Sequence, residues 1–171
     1  MSVVACRVYE DRYEIASDSI TVTGWTQSKG NNTDACKLLE NEDLIIGFSG
    51  LSSEFELMRV FVKSHKPSNE SKEAVLDFMN EFGTWMRKKT DGDHTCVDGA
   101  YIIGLKNKVY AFIYWNIEEI IEYYAVGAGR DFAMSALYLG HDVERSCDVA
   151  TELSICEKPI IKKVRKVAND S

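Results

Sequence analysis

The segment Met1–Ser19, MSVVACRVYEDRYEIASDS, decides the fold, because it predicts a strand at the very start of the chain. Residues 2–9 (SVVACRVY) are rich in β-branched and small apolar residues without polar alternation. Such a run is typical of a strand buried on both faces. The polar triplet 10–12 (EDR) predicts a turn, and residues 13–19 (YEIASDS) predict a returning strand. The chain therefore opens with a hairpin.

This predicted hairpin places a carboxylate beside the chain start. With the hairpin centred near Asp11, Asp18 on the returning strand lies opposite Val4. Chain ends usually fray unless something ties them down. A terminus built directly into a strand therefore points to a function for its first residues.

Composition and charge restrict the class of protein. The 171 residues are 45% hydrophobic and 27% charged and include two prolines, as expected for a single domain over residues 1–171. Twenty basic against 27 acidic residues give a net charge of −7, which disfavours nucleic-acid binding. The start of the chain has no signal-peptide pattern, and no apolar run reaches the ~20 residues that span a bilayer. We expect a cytoplasmic protein with no nucleic-acid or membrane partner.

The cysteines and histidines do not indicate a metal or cofactor. Five cysteines lack C-x-x-C or zinc-ligand spacing, so we expect reduced, buried thiols. The sequence DGDHT (91–95) lacks EF-hand spacing, and no histidine adjoins a nucleophile motif.

Gly127 and Gly129 lack the third glycine of a phosphate-binding turn and predict a tight strand-to-helix connection. The basic residues of 162–166 are expected to form a solvated face, or alternatively an arm that contacts a neighbouring subunit.

Blocks of strands alternate with blocks of helices, which favours an α+β fold over repeated βαβ units. Two antiparallel sheets packed together, with a helix pair on each outer face, give a four-layer αββα sandwich that buries both faces of the first strand. The predicted elements are a short strand or bend at 20–25, a polar loop at 26–34, a hairpin at 36–50, helices at 54–65 and 71–89, strands at 98–105, 108–115 and 120–129, helices at 130–140 and 142–155, and a last strand at 159–167.

Local signals in the first helix pair predict one cap and one buried stripe. Ser53 and Glu56 have the spacing of a capping box at the start of the first helix. The second helix carries apolar residues at helical spacing, which predicts a core-facing stripe. The predicted stripe is formed by Val75, Leu76, Met79, Phe82 and Met86.

Ser2 is the candidate nucleophile. A small second residue favours removal of Met1, after which Ser2 carries both a hydroxyl and a free α-amine. Such an amine has a pKa of about 7.7–8.0 and can accept the hydroxyl proton without a histidine. A nearby cation, oriented by a carboxylate, would lower the pKa of the amine. Lys37 is the candidate cation, and Asp18 is the candidate carboxylate. The alternative is that Ser2 is an arbitrary second residue with no special role.

The whole chain resembles the proteasome β-subunit and HslV-like branch of the N-terminal nucleophile (Ntn) hydrolases. The resemblance rests on SVVAC, EIASDS, KLL…LIIGFSG and the long stretch YAVGAGRDFAMSALYLGHDVERSCDVATELSICEKPI. It implies the αββα fold and a nucleophile followed sixteen residues later by an aspartate, a spacing that Ser2 and Asp18 keep. Serine stands where the family has threonine. It keeps the hydroxyl and the amine but lacks the methyl group that restricts χ1 of threonine, so it is a less constrained nucleophile.

Three other family positions can be assigned to residues of this chain. The family lysine falls on Asp34 by ungapped counting and on Lys37 if the polar loop holds three extra residues; we prefer Lys37, because loops accept insertions more readily than strands. The backbone N–H of Gly50 matches the family's oxyanion-binding position. The serine of the family's G-S-G turn is Ala128 here.

Two functions remain open at this point. One is a ring-forming homo-oligomeric peptidase or amidohydrolase that acts on peptides or proteins, needs no cofactor and works with an ATPase partner. The other is a catalytically inactive structural or assembly subunit on the same fold, which the Thr-to-Ser change, Ala128 and the ambiguity at Asp34 favour.

Overall fold

The computed structural model describes residues 1–29, 36–94 and 96–167. Within these ranges the chain forms eleven strands and four helices. The strands are β1 (Val3–Val8), β2 (Arg12–Ser17), β3 (Ile20–Thr23), β4 (Thr26–Lys29), β5 (Leu38–Glu40), β6 (Ile45–Ser49), β7 (Ala100–Gly104), β8 (Val109–Ile113), β9 (Asn116–Glu119), β10 (Tyr123–Gly127) and β11 (Ile161–Lys166). The helices are α1 (Ser52–Phe61), α2 (Lys72–Lys89), α3 (Arg130–Tyr138) and α4 (Val143–Leu153).

The strands form two main antiparallel sheets and a separate hairpin. One sheet has four strands in the order β10-β1-β2-β11, and the other has five in the order β5-β6-β7-β8-β9. Strands β3 and β4 pair only with each other in the described chain. The structure is thus a mixed α/β fold with antiparallel sheets, and the chain start occupies a central strand of the four-stranded sheet.

The side chains of β1 alternate between two different cores. Val4 and Cys6 belong to an apolar cluster contributed by both main sheets. Val3 and Ala5 belong to a second cluster, which includes residues of α3 and α4. Both faces of β1 are therefore buried, and this explains the unbroken apolar run at the start of the sequence. A third cluster joins the five-stranded sheet to α1 and α2.

The first hairpin is shifted by one residue from its predicted register. Val4 pairs with Ser17, whereas the sequence predicted Asp18 at that position. The physical reason is the turn: Tyr9 N donates to Arg12 O at 2.7 Å, so only two residues form the connection instead of the predicted three. Because side chains alternate along a strand, this shift decides which side chains enter the core.

The helices correct two further predictions. Helix α1 begins at Ser52 with Leu51 as its N-cap and has no side-chain cap, so the capping box at Ser53 and Glu56 is wrong. In α2, Leu76 is 40% exposed whereas Phe78 is buried. Leu76 follows the inward-facing Val75, and successive residues of a helix point in different directions, so Leu76 lies outside the buried stripe. The other four predicted stripe residues are buried.

Several smaller predictions also changed. The polar loop at 26–34 contains strand β4 at its start, and its remaining residues lie outside the described ranges. Strand β9 was not predicted. Cys96 is exposed and Cys36 half-buried, while the other three thiols are buried as expected. The predicted last strand is present as β11, and Lys162 of its basic segment pairs with Glu144 at 2.5 Å. None of the described helices is long and apolar enough to cross a membrane.

Candidate active site

Ser2 immediately precedes β1, the strand that lies between β2 and β10. Its side chain is buried, and its carbonyl oxygen accepts a hydrogen bond from Gly129 N at 3.1 Å. Opposite the next residue, Gly127 has φ +98°, and a Cβ there would lie 2.3 Å from Ser2 O. Only glycine fits this position. The segment Gly127–Gly129 therefore fixes the backbone of residue 2.

Asp18 lies directly beside this strand end and is completely buried. Its Oδ1 accepts from Val3 N at 2.9 Å, and its own N–H donates to Val3 O at 3.2 Å. Its Oδ2 accepts longer hydrogen bonds, each 3.4 Å, from Ile20 N and Glu157 N. The carboxylate is thus held by backbone donors from three separate parts of the chain.

Lys37 forms an ion pair with this carboxylate. Its Nζ is 2.7 Å from Asp18 Oδ1 and 2.8 Å from Oδ2, and the same Nζ donates to Met1 O at 3.0 Å. Burial lowers the pKa of Lys37 from its usual value, while the negative charge of Asp18 opposes that shift. Asp34, the alternative at this family position, lies outside the described residues.

A cavity of about 80 Å³ joins Ser2, Lys37 and Gly50. Gly50 follows β6 directly, and Asp18 lies behind Lys37 without lining the cavity. The walls combine aliphatic, aromatic and hydroxyl side chains. Its further lining residues are Met1, Ile20, Thr21, Val22, Cys36, Phe48, Ser52, Phe55 and Glu56.

The structure adds contacts that sequence reasoning did not single out. The amides of Gly129 and Glu157 bind Ser2 O and Asp18 respectively. The hydroxyl of Ser49 lies 2.9 Å from the point that a Cβ of Gly127 would occupy. Ala128 brings no hydroxyl to this turn. The G-x-G spacing was the available signal for the turn, but nothing local in the sequence links residue 157 to residue 18.

Metal binding has no support in the part of the chain that the structure describes. No group of three histidine, cysteine, aspartate or glutamate side chains there is arranged to hold a metal ion. None of the three histidines lines the cavity, and His65 instead stacks on Phe61 with ring centroids 4.1 Å apart. The residues that line the cavity supply the hydroxyls of Ser2, Thr21 and Ser52, the Glu56 carboxylate and the Lys37 amine, which Asp18 holds from behind. Hydroxyl, amine and backbone amide groups suit proton transfer and oxyanion binding.

Comparison with known proteins identifies the fold. No protein-family model matches the chain, and no curated protein matches its sequence. The structure is similar to BPH, a bacterial proteasome homologue from Thiobacillus denitrificans, with a TM-score of 0.85, 16% identity and coverage of 98% of this chain and 100% of BPH. BPH in complex with epoxomicin gives a TM-score of 0.84 at 16% identity, over 97% of this chain and 99% of that one.

The structure is also similar to eukaryotic HslV from Trypanosoma brucei. Its TM-score is 0.74 at 18% identity, with coverage of 96% of this chain and 99% of HslV. These likenesses extend over nearly the whole length of each protein. The chain therefore has the fold of BPH and HslV, which is the proteasome-like fold that the sequence resemblance predicted.

Proposed function

We propose that this chain is a peptidase or amidohydrolase of the proteasome and HslV type, with Ser2 as its nucleophile once Met1 is removed. One observation carries the proposal: the Lys37–Asp18 ion pair contacts the peptide groups on both sides of Ser2. Lys37 Nζ donates to Met1 O at 3.0 Å, and Asp18 Oδ1 accepts from Val3 N at 2.9 Å. A buried pair aimed at the backbone of residue 2 is what an N-terminal nucleophile requires.

The lysine supports the base in this proposal. Met1 O is two covalent bonds from the nitrogen that becomes the α-amine after Met1 is removed. A cation held this close favours the free-base form of the amine, because it lowers the pKa of its neighbour. Asp18 holds the cation in place through both of its oxygens. The amine then accepts the Ser2 hydroxyl proton near neutral pH.

The proposed reaction has two halves. Ser2 Oγ adds to the amide carbonyl carbon while its proton passes to the Ser2 amine, and the Gly50 N–H stabilises the resulting oxyanion. The C–N bond breaks as the amine returns that proton to the leaving nitrogen, which leaves an ester on Ser2. Water then adds to the ester by the same route, which releases the carboxylic acid and restores Ser2.

The likeness to HslV and BPH supports further parts of the proposal. We infer one domain over residues 1–171 with αββα layers, assembly into homo-oligomeric rings, an ATPase partner and a cytoplasmic location. The known complex of BPH with epoxomicin supports epoxomicin as a ligand for the cavity at Ser2. Peptides or proteins are the proposed substrates.

A catalytically inactive subunit on the same fold is the second candidate. Ala128 favours it, because the turn that holds Ser2 O carries no hydroxyl to assist the amine. Such a subunit would keep the Lys37–Asp18 pair for stability alone.

The deciding experiment combines intact mass with labelling. We expect the purified protein to lack Met1 and to react with an electrophilic Ntn-hydrolase probe, with epoxomicin competing for the site. Ser2→Ala is the matched control, because alanine also permits Met1 removal but has no hydroxyl, and it should not be labelled. Ser2→Thr should be labelled. A protein that retains Met1 and is not labelled would reject the peptidase proposal in favour of the inactive subunit.

A further inference from the structure

Glu54 is a buried carboxylate that the proposed reaction does not use. It lies in the first turn of α1 and is only 1% exposed. Its Oε1 accepts from Gly99 N at 3.1 Å and from the Tyr101 hydroxyl at 2.5 Å, and its Oε2 accepts from Asp98 N at 3.2 Å. A glutamate here normally caps its own helix. This one instead binds three donors of the segment that leads into β7.

The charge of Glu54 has no cationic partner among the described residues. The positive end of the α1 dipole stabilises the negative charge of Glu54. The three hydrogen bonds replace the contacts with water that burial removes. The neighbouring Tyr101 shows the effect of this environment, because burial and the Glu54 charge raise the pKa of its hydroxyl well above the usual value. The carboxylate is therefore committed to one rigid arrangement.

That arrangement reaches the proposed oxyanion donor through direct backbone packing. Ser49 pairs with Ala100, which brings Gly50, just after the end of β6, next to Gly99, just before the start of β7. A Cβ on Gly50 would lie 3.0 Å from Gly99 Cα and 2.6 Å from Phe48 Cζ. Gly99 is equally restricted, because a Cβ there would lie 2.1 Å from Phe48 Cε2 and 2.9 Å from Glu54 Oε1. Gly50 and Gly99 are therefore closely packed through their backbones, and neither position has room for a side chain.

We propose that Glu54 is a positioning residue, whose hydrogen bonds to Gly99 N and Tyr101 OH hold the Gly50 amide where the oxyanion forms. This inference rests on the proposed function, in which Gly50 N–H is the oxyanion donor. Glu54 belongs to the helix that begins just after Gly50, so its link to Gly99 closes a short loop around the donor. Preorganised donors lower the barrier only if they stay in place when charge develops.

The test uses Glu54→Gln, which keeps the size of the side chain but replaces one acceptor oxygen with an amide group. Tyr101→Phe is the second variant, since it removes one of the three donors and leaves the carboxylate. Glu73→Gln is the matched control, because Glu73 is also in the first turn of a helix but is exposed. Two quantities are measured for each variant. One is the rate at which it hydrolyses a peptide substrate, and the other is the amide hydrogen exchange of its own residues 49–53.

We expect Glu54→Gln to reduce kcat by roughly 10–100-fold with KM changed less than about twofold, because the donor is displaced but the binding cavity is kept. Tyr101→Phe should lower kcat in the same direction by a smaller factor, and Glu73→Gln should match the wild type. Exchange of residues 49–53 should accelerate in Glu54→Gln while the peptides of β1 and β2 keep their protection.

Two results would overturn this role. One is a folded Glu54→Gln protein with wild-type kcat, and the other is faster exchange throughout both sheets, which would indicate a purely structural residue. The exchange measurement does not depend on turnover. If the wild type proves inactive while residues 49–53 loosen only in Glu54→Gln, the proposed function fails but the restraint on Gly50 is supported.

Discussion

Lys37 and Asp18 form a two-oxygen ion pair at the chain start, with Nζ 2.7 and 2.8 Å from the two carboxylate oxygens. The side chains are 10% and 0% exposed, so water does little to screen them. The pair also binds Met1 O and Val3 N. It therefore joins three parts of the chain that are distant in sequence and orders the first residues.

Replacing Lys37 by methionine should destabilise the fold. Lys37→Met removes the cation and also the hydrogen bonds that Nζ donates to both Asp18 oxygens and to Met1 O, which a neutral amine could still make. The buried carboxylate is then without a partner at this side chain, and we expect a loss of roughly 3–5 kcal/mol in the free energy of unfolding. Urea denaturation measures this loss, and probe labelling of Ser2 should disappear in the same variant. Asp18→Asn combined with Lys37→Met should be less destabilising than the sum of the two single changes, because both charges are then absent.

A surface lysine provides the control for this change. Lys108 pairs with Glu119 at 3.1 Å, but both side chains are well exposed. Lys108→Met should leave the denaturation midpoint unchanged. Equal destabilisation by the two lysine substitutions would show that the buried pair has no special structural role.

The lowered pKa of Lys37 predicts a pH dependence of both activity and stability. Burial moves the folded pKa below 10.5, so between the folded value and 10.5 the unfolded state binds more protons. The contribution of Lys37 to stability therefore rises with pH across this window. Activity should fall across the same window, because the cation beside the Ser2 amine is lost.

Lys37→Arg distinguishes this explanation from a general alkaline effect. Arginine keeps its proton, so the alkaline decline in probe labelling should move to higher pH. Denaturation midpoints of wild type and Lys37→Met, compared between pH 7 and 10.5, measure the stability component. An alkaline decline that stays at the same pH in Lys37→Arg would contradict our assignment.

Gly127→Ala should disturb the chain start more than an ordinary glycine substitution. The new Cβ would meet Ser2 O at 2.3 Å in addition to the strain of φ +98°. Gly92 is the matched control, because it has φ +90° but open space around it. We expect about 1–2 kcal/mol from the strain in Gly92→Ala and a clearly larger loss in Gly127→Ala. Thermal unfolding measures both, and equal losses would mean that Ser2 O is free to move.

Thiol reactivity should follow burial. Cys6 and Cys147 are buried, and burial raises the pKa of both thiols well above the usual value, whereas Cys96 is exposed. Iodoacetamide should therefore modify Cys96 first in the native protein and reach the other two only after denaturation. Peptide mass mapping with and without guanidinium gives the comparison. Rapid native modification of Cys147 would show that α4 separates readily from the sheet.

Much of the fold could be predicted because its signals are local. The unbroken apolar run at the start of the chain indicated a strand with two buried faces, and Val3 and Val4 indeed face different cores. Helix α2 could likewise be predicted from its apolar spacing, and the structure adds Ser71 as its N-cap. Patterns within a helix or strand repeat over a few residues, so a single sequence displays them.

The misses occurred where one residue changes the outcome. A two-residue turn shifted the first hairpin, so that Ser17 faces Val4. The N-cap of α1 is Leu51, two residues before the predicted cap Ser53. The acidic residue of the first turn that forms hydrogen bonds is therefore Glu54 and not Glu56. Boundaries and turns depend on small local energies that the surrounding tertiary structure overrides.

The sequence by itself determined that a strand begins almost at residue 1 and that Ser2 and Asp18 lie on neighbouring strands. It favoured Lys37 over Asp34 at the family lysine position, but it left open which side chain meets Asp18. The tertiary structure decided that Lys37 reaches it, 19 residues away, because packing of the two sheets buries both charges together. The same is true of Glu54 and Gly99, 45 residues apart. Periodicity is encoded locally, whereas buried charges find their partners only when the whole core excludes water.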